Sequence, residues 1–178
     1  MQGDIEKVLI SQDEIERHVA EVGRKISEDF AGKDPIFVGV LKGCFIFMAD
    51  LFREVTIPGS VDFMAVSSYG NGTSTTGAVK INKDLSQDIE NRDVIIVEDI
   101  LDSGVTLSYL TKYLQNRKPS SICIATLLDK PARRRADVQA KYVGFTVPDA
   151  FVVGYGLDYA EKYRNLPFIG ILKPDIYE

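Results

Sequence analysis

The chain has 178 residues, a net charge of −5 and a composition that is 45% hydrophobic and 26% charged. That length sustains one core, so a single domain over residues 1–178 is expected. The acidic balance excludes the general basic footprint of a nucleic-acid binder, and no apolar run nears the ~20 residues that cross a bilayer.

The opening MQGDIEKVLISQDE is polar and acidic, unlike a signal or transit peptide, so a cytoplasmic location is expected. Ser11 starts the first helix, and Glu14 completes a capping box. Ile15, Val19, Val22 and Ile26 then recur at helical spacing until Gly32. His18 on this helix reads as an ordinary boundary histidine. IFVGVL, Ile36–Leu41, is continuously apolar, as in a strand covered on both faces. The LKG that follows leads into CFIFMADLFRE, a helix to pack on the sheet.

Residues 61–69, VDFMAVSSY, form a strand with partial alternation. YGNGTSTTG (69–77) holds three glycines and four Ser/Thr residues with no apolar anchor, which predicts a mobile loop. AVKIN returns as the second arm of a long hairpin. A strand over 94–97, a helix over 106–116 with Leu107, Leu110 and Leu114 on one face, and a buried strand over 121–128 follow. YVGFTV and FVVGYG read as further strands. Strands alternating with helices predict an α/β fold with a mainly parallel sheet. Cys44 and Cys123 sit in apolar segments without a CxxC, and with one His they read as buried thiols, not a zinc site.

Chemistry concentrates in VIIVEDILDSGVTL, residues 94–107. An apolar strand runs into Glu98 and Asp99, then Asp102, then Ser103, Gly104 and Thr106. In open α/β sheets ligands bind outside the carboxyl ends of strands. Carboxylates crowded there repel one another unless a metal ion, ligand hydroxyls or solvent offsets the charge. The Ser/Gly/Thr segment opens a helix, whose amides and dipole favour a phosphate. Acids for hydroxyls or Mg²⁺ beside an anion cradle describe a sugar phosphate. The plain alternative is an N-cap cluster and a turn. Neither GxxxxGK[ST] nor GxGxxG is present, which weighs against NTPases and dehydrogenases.

EDILDSGVTL resembles the phosphoribosyl diphosphate signature of the type I phosphoribosyltransferases. GVLKG, SSYGNGTSTTG, LLDKPARR and VPDAFVVGYGLDYAEKYRNLP occur in the order found in the hypoxanthine-guanine branch. The resemblance implies a single-domain fold with a small hood and a hairpin lid containing Ser68 and Tyr69. It implies that Glu98 and Asp99 bind the ribose hydroxyls directly or through Mg²⁺, and that Asp102 exchanges a proton with purine N7. Ser103, Gly104, Val105 (through its amide) and Thr106 would hold the 5′-phosphate. Lys42, Gly43 and Arg164 would meet pyrophosphate, with the Leu41-Lys42 peptide often cis in the family.

By the same resemblance Lys130 contacts the purine 6-oxo group, Phe151 stacks on the base, Val152 meets its edge through the backbone, and Asp158 holds a second Mg²⁺. The basic run 133–135 reads as solvated surface. The implied reaction is phosphoribosyl transfer from phosphoribosyl diphosphate to hypoxanthine or guanine, in a homodimer or homotetramer, with no nucleic-acid or membrane partner. A phosphoribosyltransferase for xanthine or uracil, and a non-catalytic regulator binding RNA or DNA, stand as alternatives. Lys130 with Phe151 and Val152 opposes uracil; the acidic charge and Asp102 oppose the regulator.

Overall fold

A computed structural model describes residues 1–68 and 79–178. Its elements in chain order are β1 (Ile5–Ile10), α1 (Gln12–Asp29), β2 (Ile36–Leu41), α2 (Phe45–Glu54), β3 (Ser60–Ser68), β4 (Val79–Lys83), β5 (Asp93–Leu101), α3 (Val105–Gln115), β6 (Ser121–Asp129), β7 (Tyr142–Thr146), β8 (Val152–Val153), β9 (Ile169–Leu172) and α4 (Pro174–Tyr177). The lid residue Tyr69, with the glycine-rich segment after it, lies outside the described residues. Ser68 ends β3, in register with Val79 of β4.

Six strands form one sheet in the order β4-β3-β2-β5-β6-β7. Only β4 runs antiparallel to its neighbour; the other pairings are parallel. The central strands are apolar at successive positions because helices cover both faces. Phe37, Val38 and residues 94–97 are fully buried. On one face, α1 and α2 bring Ile15, Val19, Val22, Ile26, Phe47 and Leu51 against Phe37, Ile95 and Val97. On the other, Leu107, Leu110 and Leu114 of α3 meet Ile36, Val38, Val94 and Ile96. Two hydrophobic layers thus clamp the sheet, as the predicted α/β architecture requires.

The capping box at Ser11 is present in full: Glu14 N–H donates to Ser11 Oγ at 3.3 Å, and Ser11 N–H donates to Glu14 Oε2 at 2.8 Å. His18 stacks on Phe145 at 4.0 Å and lies 2.7 Å from the Gly144 carbonyl, a boundary contact.

A second, antiparallel sheet of order β1-β9-β8 forms the hood. FVVGYG contributes only the two residues of β8 to it, a shorter strand than the apolar run suggests. Gly154 and Gly156 follow at φ +102° and +101°. At Gly156 a Cβ would stand 2.3 Å from the Gly43 carbonyl oxygen. The run breaks there because it must pass directly over the β2–α2 loop.

Candidate active site

The sheet opens at one place. β2 pairs with β5 only as far as Gly39 and Val97, while β2 continues beside β3 to Leu41 and β5 continues beside β6 to Leu101. The chain leaves β2 toward one side of the sheet and β5 toward the other, so this gap is the topological switch point where α/β sheets bind ligands. The predicted strand over 94–97 is therefore too short. Glu98 and Ile100 remain in register with Thr126 and Leu128, because β6 supplies a full-length partner on one edge only.

A cleft of about 500 Å³ occupies the gap. Its walls include Val40, Leu41 and Gly43 from the end of β2, Ser67 from β3, Glu98, Asp99 and Asp102 from β5 and its loop, and Ser103, Gly104 and Thr106 before and within α3. The Leu41-Lys42 peptide is cis. A Cβ at Gly43 would fall 1.8 Å from Asp99 Oδ2, so only glycine allows the β2 loop to lie against this carboxylate.

Glu98 is 9% exposed. Its Oε1 accepts from Asp99 N–H at 3.2 Å, and Asp99 Oδ1 accepts from Ile100 N–H at 2.8 Å. Burial, followed by the adjacent Asp99 charge, raises the Glu98 pKa well above the usual carboxylate range. Burial raises Asp99 as well, against the opposing Ile100 amide and Arg164 charge. A buried and a partly buried carboxylate with so little compensation favour a cation or several hydroxyl donors. Cys44 lies under them, its thiol pushed far up by burial and by both acids, so it is an unreactive core residue.

The loop after β5 turns on Gly104 at φ +78°, against Val138 and Arg134, where a Cβ would lie 2.4 Å from Val138 Cγ1. Among the described residues no side chain caps α3; only Val105 N–H reaches Ser103 Oγ, at 3.4 Å. Its first-turn amides therefore face the cleft with the helix dipole behind them, an arrangement suited to an anion. Arg134 holds the loop from below. It donates to the Asp102 carbonyl at 3.1 Å and the Val138 carbonyl at 2.9 Å, and pairs with the Asp129 carboxylate. The expectation of a solvated run holds for exposed Arg133 and Arg135 but fails at Arg134, a half-buried guanidinium that ties separate segments together.

A second cavity of about 570 Å³ adjoins the first and shares Asp99, Ile100 and Asp102 with it. Lys130, Phe151, Val152, Leu157 and Asp158 line its hood side. Lys130 is only 5% exposed and donates from Nζ to the Ala150 carbonyl at 3.0 Å. Asp102 is half-exposed, with Arg133 Nε 3.4 Å from Oδ1. Phe151 is 37% exposed, stacked at 4.6 Å on Tyr177 and edge-on at 5.6 Å to Tyr159.

Lys42, Val105 and Arg164 do not line either cavity. Lys42 is exposed and pairs with Glu161 at 3.2 Å. Val105 lines neither cavity, and its N–H lies 3.4 Å from Ser103 Oγ. Arg164 donates to the Gly156 carbonyl at 2.7 Å and pairs with Asp158 at 3.1 Å. Asp158 also accepts from Glu161 N–H at 2.8 Å. Sequence reasoning missed Ile100 and Leu157 as walls of the second cavity, and Tyr177 altogether. The two apolar residues between the acids were a readable signal for Ile100; Tyr177 reaches the site through tertiary folding and left none.

Switch-point cleft, paired acids and uncapped helix start together define an α/β protein with a polar site at the carboxyl ends of its strands, adjoined by a second cavity. The phosphoribosyl transferase domain family matches residues 10–160. The hypoxanthine-guanine phosphoribosyltransferase of Bacillus subtilis (strain 168) is 57% identical over all of this chain and 99% of its own length. The bifunctional TilS/HprT protein of Listeria monocytogenes is 57% identical over 99% of this chain, which spans only 27% of that longer protein. Among solved structures, a hypoxanthine phosphoribosyltransferase of Staphylococcus aureus superposes with a TM-score of 0.97 at 53% identity, covering 100% of this chain and 97% of the other. The chain belongs to the phosphoribosyltransferase family, in its hypoxanthine-guanine branch.

Proposed function

We propose that the chain is a purine-salvage enzyme that transfers the 5-phosphoribosyl group from phosphoribosyl diphosphate to hypoxanthine or guanine, giving IMP or GMP and pyrophosphate. The observation that carries this reading is the pair of cavities meeting at Asp99, Ile100 and Asp102. One suits a sugar phosphate, the other a planar base, and the bond to be made lies where they join. Glu98 and Asp99 accept from the ribose hydroxyls. The amides and hydroxyls of residues 103–106 hold the 5′-phosphate at the start of α3.

Lys130 donates to the 6-oxo oxygen of the base, a contact that adenine, with its 6-amino donor, cannot make. Phe151 stacks on the ring and the Val152 backbone meets its edge. Asp102 takes the N7 proton as the new glycosidic bond forms, a role typically contributing ~10²–10⁴ in rate. Gly43, Lys42 and Arg164 receive pyrophosphate, Arg164 through the planar fork that suits phosphate oxygens. Ser68 and Tyr69 belong to a lid that keeps water from the carbocation-like centre.

The poorly compensated pair of buried Glu98 and partly buried Asp99 fits Mg²⁺, which favours one or two carboxylates together with substrate oxygens; Asp158 is the candidate for a second ion. When bound, Mg²⁺ supplies charge stabilisation for the leaving pyrophosphate and a template for the substrate. The protein is further proposed to be a single domain, cytoplasmic, and a homodimer or homotetramer; no described helix is long and apolar enough to cross a membrane.

The test is pyrophosphate release with Mg²⁺ and phosphoribosyl diphosphate, offering hypoxanthine, guanine, xanthine, adenine and uracil separately. Turnover with the 6-oxopurines and none with adenine or uracil is expected. Turnover with adenine would refute the role of Lys130, and unimpaired Asp102→Asn would refute that of Asp102.

A further inference from the structure

Phe151 has two ring faces, and the fold covers one of them. The ring of Tyr177, at the end of α4, lies parallel to it at 17° with centroids 4.6 Å apart. Tyr159 closes an edge at 84°. Yet Phe151 remains 37% exposed and lines the second cavity, so its open surface is the face turned away from Tyr177. The Phe151 carbonyl is pinned to this end of the chain as well, accepting from Leu172 N–H at 2.9 Å. Tyr177 itself packs into the hood cluster of Val153, Tyr163, Leu166 and Leu172.

We infer that Tyr177 is a positioning residue for base recognition: it backs Phe151, fixes the plane of its ring, and leaves one face for the base, giving a three-tier stack of Tyr177, Phe151 and purine. A phenyl ring at the mouth of a cavity rotates about χ1 and χ2 when nothing opposes it. Ordering it in advance removes that conformational cost from base binding, and offset parallel rings at this spacing attract. The effect belongs to the base and not to the sugar phosphate, because Tyr177 touches the second cavity and not the first. The inference rests on the assignment of that cavity to a 6-oxopurine.

The test is steady-state kinetics of the full chain and of Tyr177→Ala and Tyr177→Phe, varying hypoxanthine and phosphoribosyl diphosphate separately. Tyr177→Ala is expected to raise the KM for hypoxanthine about 3- to 10-fold, with kcat and the KM for phosphoribosyl diphosphate within about 2-fold, and Tyr177→Phe to restore it. Tyr177→Leu, which keeps apolar bulk in the hood cluster without a ring, is expected to match the alanine variant and serves if that variant does not fold. An unchanged hypoxanthine KM in both ring-less variants overturns the inference. A fall in that KM also overturns it, because Tyr177 would then be occupying the place of the base. Equal rises in both KM values reduce Tyr177 to a structural residue. Wild-type turnover tests the purine assignment first: its absence overturns both readings, whereas an active wild type with unaltered ring-less variants overturns only this one.

Discussion

Replacing Glu98 by Gln is expected to make the protein more stable and less active. The side chain is buried, its Oε1 already accepts from Asp99 N–H, and a glutamine amide keeps that bond while donating its N–H to the Asp99 carboxylate. Two like unit charges ~4 Å apart cost about 4 kcal/mol at an effective dielectric of 20. Burial and the Asp99 charge raise the Glu98 pKa, so its charged form is disfavoured in the fold and the substitution recovers part of that repulsion, about 1–3 kcal/mol. For a chain of this size that corresponds to a melting temperature higher by roughly 2–10 °C.

The pH dependence gives the sharper check. An acid whose folded pKa lies above its unfolded value binds a proton in the folded state that the unfolded chain has released. Its contribution is therefore most favourable below about pH 4.5 and is lost as pH rises toward the folded value. Wild type and Glu98→Gln should melt together in acid and separate as pH increases. Calorimetry of the two proteins from pH 4.5 to 8 without divalent cations measures this, with turnover recorded alongside. A variant that melts below wild type at pH 8, or a difference that is flat with pH, would refute the electrostatic argument.

Gly43→Ala should abolish most turnover with little effect on secondary structure by circular dichroism, because the new methyl group collides with Asp99 Oδ2. Retained wild-type kcat/KM would disprove the contact. Arg134→Ala should destabilise by about 1–3 kcal/mol in urea titration, through lost bonds to the Asp102 and Val138 carbonyls and the Asp129 carboxylate. Arg134→Lys should recover little of it, since a point charge cannot reach three acceptors at once. Lys130→Gln should lower kcat/KM for hypoxanthine about 10- to 150-fold by removing a charged donor, while leaving phosphoribosyl diphosphate affinity within a few fold by calorimetric titration.

The layered sheet was legible because its signals are local. Residues 36–41 and 94–97 are apolar at every position, α1 carries its own capping box, and α3 shows its leucine stripe. The acids and the Ser-Gly-x-Thr turn were legible for the same reason, being contiguous at one strand end. The full length of β5 was hidden because it depends on how far β6 extends alongside. The hood was expected from the resemblance alone, not from local patterning. Its sheet joins β1 to β9 across almost the whole chain, and no periodicity in either segment announces the partner. Arg134 looked like one of three equivalent arginines, and only the tertiary positions of Asp129, Val138 and the Asp102 carbonyl single it out.

The two cavities meet on three residues of a single strand end, yet their remaining walls come from different parts of the molecule. The sugar-phosphate side is made by β2, β5 and the start of α3, all anchored in the central sheet. The other side is made chiefly by Lys130, which follows β6 of the central sheet, and by the segment from Asp149 to Asp158 around the hood strand β8. On the proposed assignment of the cavities, the acceptor base is selected by Lys130 and residues 149–158, none of which lines the sugar-phosphate cleft. A change of acceptor made at those positions would leave the walls contributed by β2 and the start of α3 as they are.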